Sequence, residues 1–133
     1  MIKQYNNDLL TVIKKLPMNF SGVLNTLIEW SDMTEEELAE KADISEKTIQ
    51  RLRNTEPDNV TMETVVQLCI GMKLPPVLSS YLVKSSGKSY MMTEQHIMYQ
   101  FLLTSCYTKS IHECNDMLAA QNLKLLGRQN RIT

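Results

Sequence analysis

The chain has 133 residues, 43% of them hydrophobic and 22% charged, with a formal net charge of −1. That length suits one domain, or one domain with a few added helices, and the apolar share excludes wholesale disorder. A net charge so close to zero gives no overall pull toward nucleic acid, and no apolar run approaches the roughly 20 residues of a membrane span.

The charge is unevenly spread. Residues 1–20 carry three Lys against Asp8, for +2; residues 21–85 carry six basic and eleven acidic groups, for −5; residues 86–133 carry five basic and three acidic groups, for +2. The N-terminus lacks the basic start, apolar stretch and small-residue cleavage site of a secretory signal. Cys69, Cys106 and Cys114 are odd in number and lie in or beside helical patterns, so they read as reduced thiols of a cytoplasmic protein. With eight aromatics and no β-branched runs, the expected fold class is all-α.

In chain order, Leu9, Val12, Ile13 and Leu16 predict an amphipathic helix over 7–16, capped by Asn6 or Asn7 and ended by Pro17. A second helix over 22–31 presents Val23, Leu24, Leu27, Ile28 and Trp30. Thr34 to Glu37 reads as a capping box opening a helix that stops near Asp43. Ser45 caps the next helix, which runs to about Asn54, and Asn54 to Val60 is a loop containing Pro57 and Asp58. Thr61 opens a helix carrying Met62, Val65, Val66, Leu68, Cys69 and Ile70, closed at Gly71. Pro75-Pro76 starts a short helix through Leu82, and Ser85 to Ser89 reads as a linker around Gly87. Thr93 caps a helix with Ile97, Met98, Phe101 and Leu102. Ser110 to Glu113 forms a second capping box, followed by Cys114, Met117, Leu118 and Leu123. The expected division is a first helix over 1–20, a helical unit over 21–85, a helical extension over 90–127 and a basic, frayed tail over 128–133.

Residues 34–53 carry the functional signal. Two short helices joined by a tight turn need a small residue at their crossing, here Ala39. They need apolar anchors, here Leu38, Ile44, Ile49 and Leu52, and a cap to start the second helix sharply, here Ser45. That is a helix-turn-helix. With Thr34, Leu38, Ala39, Ile44, Ser45, Thr48, Ile49 and Leu52 in register, the stretch resembles the lambda-repressor/Cro-like, or Xre-type, helix-turn-helix family. Thr61 to Val65 and Leu68 resemble its fourth helix, and the likeness covers roughly residues 21–85, the usual five-helix unit. Tyr99 to Leu102 and Ile111 to Asn115 are similar to uncharacterised Xre-type proteins of Gram-positive bacteria with two extra C-terminal helices.

The resemblance implies a sequence-specific transcriptional regulator that binds double-stranded operator DNA as a homodimer. Under it, the helix from Ser45 to Arg53 is the recognition helix. Glu46, Lys47, Gln50 and Arg51 would meet base edges, with Thr48 beside them. Arg53, Asn54 and the amides near Thr34 and Thr61 would hold phosphates. Two positions depart from the family pattern. Glu35 replaces a Gln and would repel phosphate, while Asp43 replaces the turn Gly and has to take a left-handed conformation.

Other readings of the same residues are less specific. Lys47, Arg51 and Arg53 also suit a solvated helix face, and the −5 charge of residues 21–85 suits a protein-interaction module that keeps the fold without DNA. The run Glu35 to Glu37 reads as a helix start favoured by the dipole. His96, Cys106, His112 and Cys114 fit no common zinc spacing, so no metal or other cofactor is expected. The nine Met read as core filler or a subunit contact. No nucleophile–base pair or phosphate loop occurs, so the reading is not an enzyme.

Overall fold

In a computed structural model, residues 2–55 and 60–127 are described, with the side chains of 2–7 left aside. Among the described residues there are eight helices and no strand. They are α1 (Ile2–Lys15), α2 (Phe20–Ser31), α3 (Glu35–Ala42), α4 (Glu46–Asn54), α5 (Met62–Met72), α6 (Pro76–Ser85), α7 (Glu94–Ser105) and α8 (Ile111–Ala120). None is long and apolar enough to cross a membrane. Part of the expected loop, residues 56–59, and the expected tail, 128–133, lie outside the described residues.

The helix starts follow the caps that the sequence announces. Thr34 and Ser110 each form a complete capping box, with Glu37 and Glu113 returning to the cap N–H. Ser45, Thr61 and Thr93 each accept from the N–H three residues on. Each such cap is worth about 1 kcal/mol. Pro76 sits in the first turn of α6, where its missing N–H costs nothing.

Among the boundaries that differ from expectation, three bear on the packing, while α6 also runs on to Ser85 and α8 ends at Ala120, before Leu123. Helix α1 runs through Asn6 and Asn7 to Ile2, so neither asparagine caps it. Helix α2 starts at Phe20, which is buried and belongs to the core rather than to a preceding loop. Helix α5 does not close at Gly71: it continues to Met72 and ends on Lys73, whose φ of 50° supplies the left-handed cap.

Gly71 has a different task. A Cβ placed there would lie 2.8 Å from Ala42 Cβ and 3.0 Å from both Ala42 N and Leu38 Cδ1. The close crossing is therefore between α3 and α5, at Ala42 and Gly71. Ala39, expected where α3 and α4 cross, is partly buried and packs against the same core. Leu38, Ile49, Leu52, Leu68, Leu74, Leu78 and Leu82 are all completely buried in one core cluster.

The last two helices share this core. Tyr99, Leu102 and Leu103 of α7 and Cys114 and Leu118 of α8 are buried in one cluster with Val65, Cys69 and Leu82. On α7 the inward positions are Tyr99, Leu102 and Leu103. Ile97 and Phe101, expected among its apolar positions, remain 57% and 44% exposed. The thiols of Cys69, Cys106 and Cys114 are free and buried. Burial pushes the Cys69 thiol up to about 12 and that of Cys114 to about 11.

Candidate nucleic-acid interface

Helix α4 is held at both ends by side chains from its neighbours. At its start, the chain leaves α3 through Asp43, which is left-handed (φ 56°, ψ 45°), and Ile44 N–H reaches back to Ala39 O at 3.1 Å. Asp43 thus takes the left-handed turn position that glycine fills most easily, at the modest cost of a left-handed short polar residue. The buried Gln67 of α5 donates its amide to the carbonyls of Ala42 and Asp43, at 3.0 and 3.1 Å. Ile44 is buried, and Ser45 begins α4 by accepting from Thr48 N–H at 3.1 Å and donating to Thr48 Oγ1 at 2.8 Å.

At the other end, α2 satisfies the terminal carbonyls. Ser21 Oγ lies 2.9 Å from Leu52 O and 2.8 Å from Thr55 O, and Asn25 Nδ2 donates to Arg53 O at 2.9 Å. Ile49 and Leu52, fully buried, fix the rotation of α4 about its axis. With that rotation set, the exposed face consists of Glu46, Lys47, Gln50, Arg51 and Asn54. Their spacing of three and four residues makes a single stripe. Asn54 turns its amide back to Gln50 O at 2.7 Å. The stripe has two cations and one carboxylate, a local excess of positive charge on an otherwise acidic unit.

The remaining expected contact residues lie elsewhere. Thr34 and Ser45 have their hydroxyls committed to caps, and Thr48 is half-buried. Arg53 is turned toward α2 and α3: its Nε donates to Asn25 Oδ1, and its Nη1 pairs with Glu35 Oε2 at 2.8 Å. Glu35 Oε1 also accepts from Gln50 Nε2 at 3.3 Å. The carboxylate expected to repel phosphate is therefore balanced by a guanidinium beside it. Nothing in the local pattern joins positions 35 and 53; their charges are complementary, but so are those of many other pairs in the chain.

A second feature that sequence reasoning missed is the return of the C-terminal segment to the turn between α3 and α4. Gln95 clasps the main chain of Lys124, accepting from its N–H at 3.0 Å and donating to its C=O at 2.8 Å. The buried Asn115 treats Leu126 in the same way, at 2.7 and 3.1 Å. Gly127 N–H then reaches Glu63 Oε1 at 3.2 Å. Gly127 has φ 84°, and a Cβ on it would overlap the Asp43 side chain, so only glycine fits against the turn. Lys124 consequently shares a cleft of about 430 Å³ with Ser45 and Thr48 of the α4 start, Thr61 and Thr64 of the α5 start, and the carboxylates of Asp43 and Glu63.

His96 and His112, considered above with the cysteines, are placed apart in role. His96 Nδ1 accepts from Met91 N–H at 2.9 Å and stacks on Tyr99, while His112 is exposed beside Asp116. Among the described residues, no group of three or more His, Cys, Asp or Glu is arranged to hold a metal ion.

No curated protein and no solved structure matches the chain. Residues 23–72, from within α2 to the last residue of α5, match the family model of the Cro/C1-type HTH DNA-binding domain, and the architecture is all-α and lambda-repressor-like, with further helices before and after that unit.

Proposed function

We propose that the protein is a sequence-specific, DNA-binding transcriptional regulator of the Xre type, acting in the cytoplasm as a homodimer on a pseudo-palindromic operator. The observation that carries this reading is the exposed stripe of Lys47, Gln50 and Arg51 on a helix whose two ends and rotation are fixed by α2, α3 and α5. Lysine and arginine donate to guanine, and glutamine pairs with adenine, so the stripe has the groups that distinguish bases in the major groove. Thr34, Ser45 and Thr61 sit at helix starts whose amides suit the phosphate backbone, and Asn54 ends the same stripe. Glu46, exposed at the start of the stripe, would accept from cytosine. Under this reading residues 21–85 are the DNA-binding domain and residues 90–127 an extension that forms the dimer contact or receives a signal.

The test is retention of duplex fragments of the source genome by the full chain across a salt series. A retained fragment is expected, with affinity falling as salt rises. Lys47→Ala combined with Arg51→Ala should weaken it by tenfold or more, since each base contact is worth about 1–3 kcal/mol. No retained fragment at low salt, or no loss in the double variant, refutes the reading. A dimer on DNA should set its two α4 helices about 34 Å apart.

A further inference from the structure

Glutamine can meet a base in two orientations, and the surroundings of Gln50 permit one. Its Nε2 lies 3.3 Å from Glu35 Oε1, while the other oxygen of Glu35 lies 2.8 Å from Arg53 Nη1. An ionised carboxylate accepts hydrogen bonds and donates none. The end of the Gln50 amide turned toward Glu35 must therefore be the NH₂ group, because the flipped amide would set oxygen against oxygen.

Glu35 is itself held. Arg53 grips it by Nη1 and grips Asn25 Oδ1 by Nε, and Asn25 returns a bond from Nδ2 to Arg53 O at 2.9 Å. One chain of bonds thus runs from α2 through the end of α4 to the start of α3 and out to Gln50. With one N–H given to Glu35, Gln50 keeps Oε1 and its second N–H, neither of them bonded among the described residues. Adenine presents N7 as an acceptor and N6–H₂ as a donor in the major groove, which is the complement of that remaining pair.

We propose that Glu35 is a positioning residue that selects one amide orientation of Gln50, making adenine the base that Gln50 reads, and that Arg53 serves this arrangement rather than a phosphate. The proposal rests on the DNA-binding reading above. It also assigns the departure at position 35 a purpose. A glutamine there offers Gln50 either an acceptor or a donor and so leaves both orientations open, whereas a glutamate leaves one.

The experiment selects bound sequences from a pool of random-sequence duplexes with the full chain and with its Gln50→Ala, Glu35→Gln and Glu35→Ala variants. The unmodified chain should select adenine at one position per half-site, and Gln50→Ala should lose that preference alone. Glu35→Gln should relax it at the same position, by roughly 5- to 100-fold in adenine over the next base, with the other positions unchanged. Glu35→Ala should do the same wherever it remains folded by circular dichroism; Glu35→Gln, which keeps an oxygen for Arg53, decides the matter if it does not. The proposal is overturned by a base other than adenine at the Gln50-dependent position. It is equally overturned by Glu35 variants that weaken all positions alike, as a merely structural role would. A chain that selects no sequence removes both readings; a selected motif indifferent to Gln50 and Glu35 removes this one only.

Discussion

Gln67 gives the sharpest test of how the turn before α4 is held. It is 5% exposed, and its amide donates to Ala42 O and Asp43 O, the carbonyls where α3 ends in a left-handed residue. Gln67→Leu keeps nearly the same volume and deletes both bonds. Each is worth about 1 kcal/mol net, and a buried carbonyl left without a partner costs about 1–3 kcal/mol. Leucine returns about 1–2 kcal/mol through apolar burial, and the adjoining cleft, which Gln67 lines, lets water reach part of the vacated site. The net loss should be about 2 kcal/mol, or roughly 8 °C in Tm for a chain of this size. Gln67→Glu separates hydrogen bonding from packing. Its carboxylate would face two carbonyl oxygens, so the folded state favours the protonated acid and raises its pKa above the unfolded value of about 4.3. Stability is then fully present below about pH 4.3 and is lost as pH rises through the folded pKa, at about 1.4 kcal/mol per pH unit between the two. Urea unfolding followed by circular dichroism at pH 5 and pH 7.5 reads both effects. A leucine variant within about 0.5 kcal/mol of the parent, or a glutamate variant whose deficit is independent of pH, would refute the reasoning.

Gly71→Ala should lose about 1 kcal/mol in urea unfolding. The forced overlap with Ala42 and Leu38 costs about 1–3 kcal/mol and outweighs the gain of about 1 kcal/mol from helix propensity; a net stabilisation would contradict the close crossing. Cys69 should resist a thiol reagent in the native protein at pH 8 and react on unfolding, because burial pushes its thiol to about 12. Labelling faster than global unfolding would contradict this. The Ser110 backbone N–H, and then its hydroxyl, hold the Glu113 carboxyl below the usual range. The stability that this contributes is present above the ordinary glutamate pKa and lost as pH falls through the folded value, so a site-resolved NMR titration should find Glu113 titrating below an unpaired glutamate.

Much of the site was legible because caps and turns are local. The Thr34–Glu37 box, the left-handed Asp43 and the Ser45 cap each involve atoms within a few residues, and the structure has them as the spacing predicts. The exposed stripe on α4 was legible too, since burying Ile49 and Leu52 leaves one face outward. Gly71 was misread for a related reason: glycine near a helix end usually marks a cap, and its pattern is the same when it serves a crossing with a distant helix. On α7, which is apolar on more than one side, periodicity could not say which side turns inward, and the structure leaves Ile97 and Phe101 exposed.

The sequence by itself determined the all-α class, the starts of most helices and the helix-turn-helix, because hydrophobic period and capping chemistry act over one or two helical turns. Only the tertiary structure decided that Arg53, off the outward stripe of α4, is spent on partners inside the unit. Arg53 and Lys47 look alike in the sequence, yet Arg53 lies against Asn25 of α2 and Glu35 of α3, contacts made 28 and 18 residues away along the chain. The same holds for Gln67, which closes a turn 24 residues before it, and for Gly127, which reaches Glu63 at a separation of 64. Such pairings depend on how whole helices cross, and a crossing is set by the packing of the entire core rather than by any local pattern of residues.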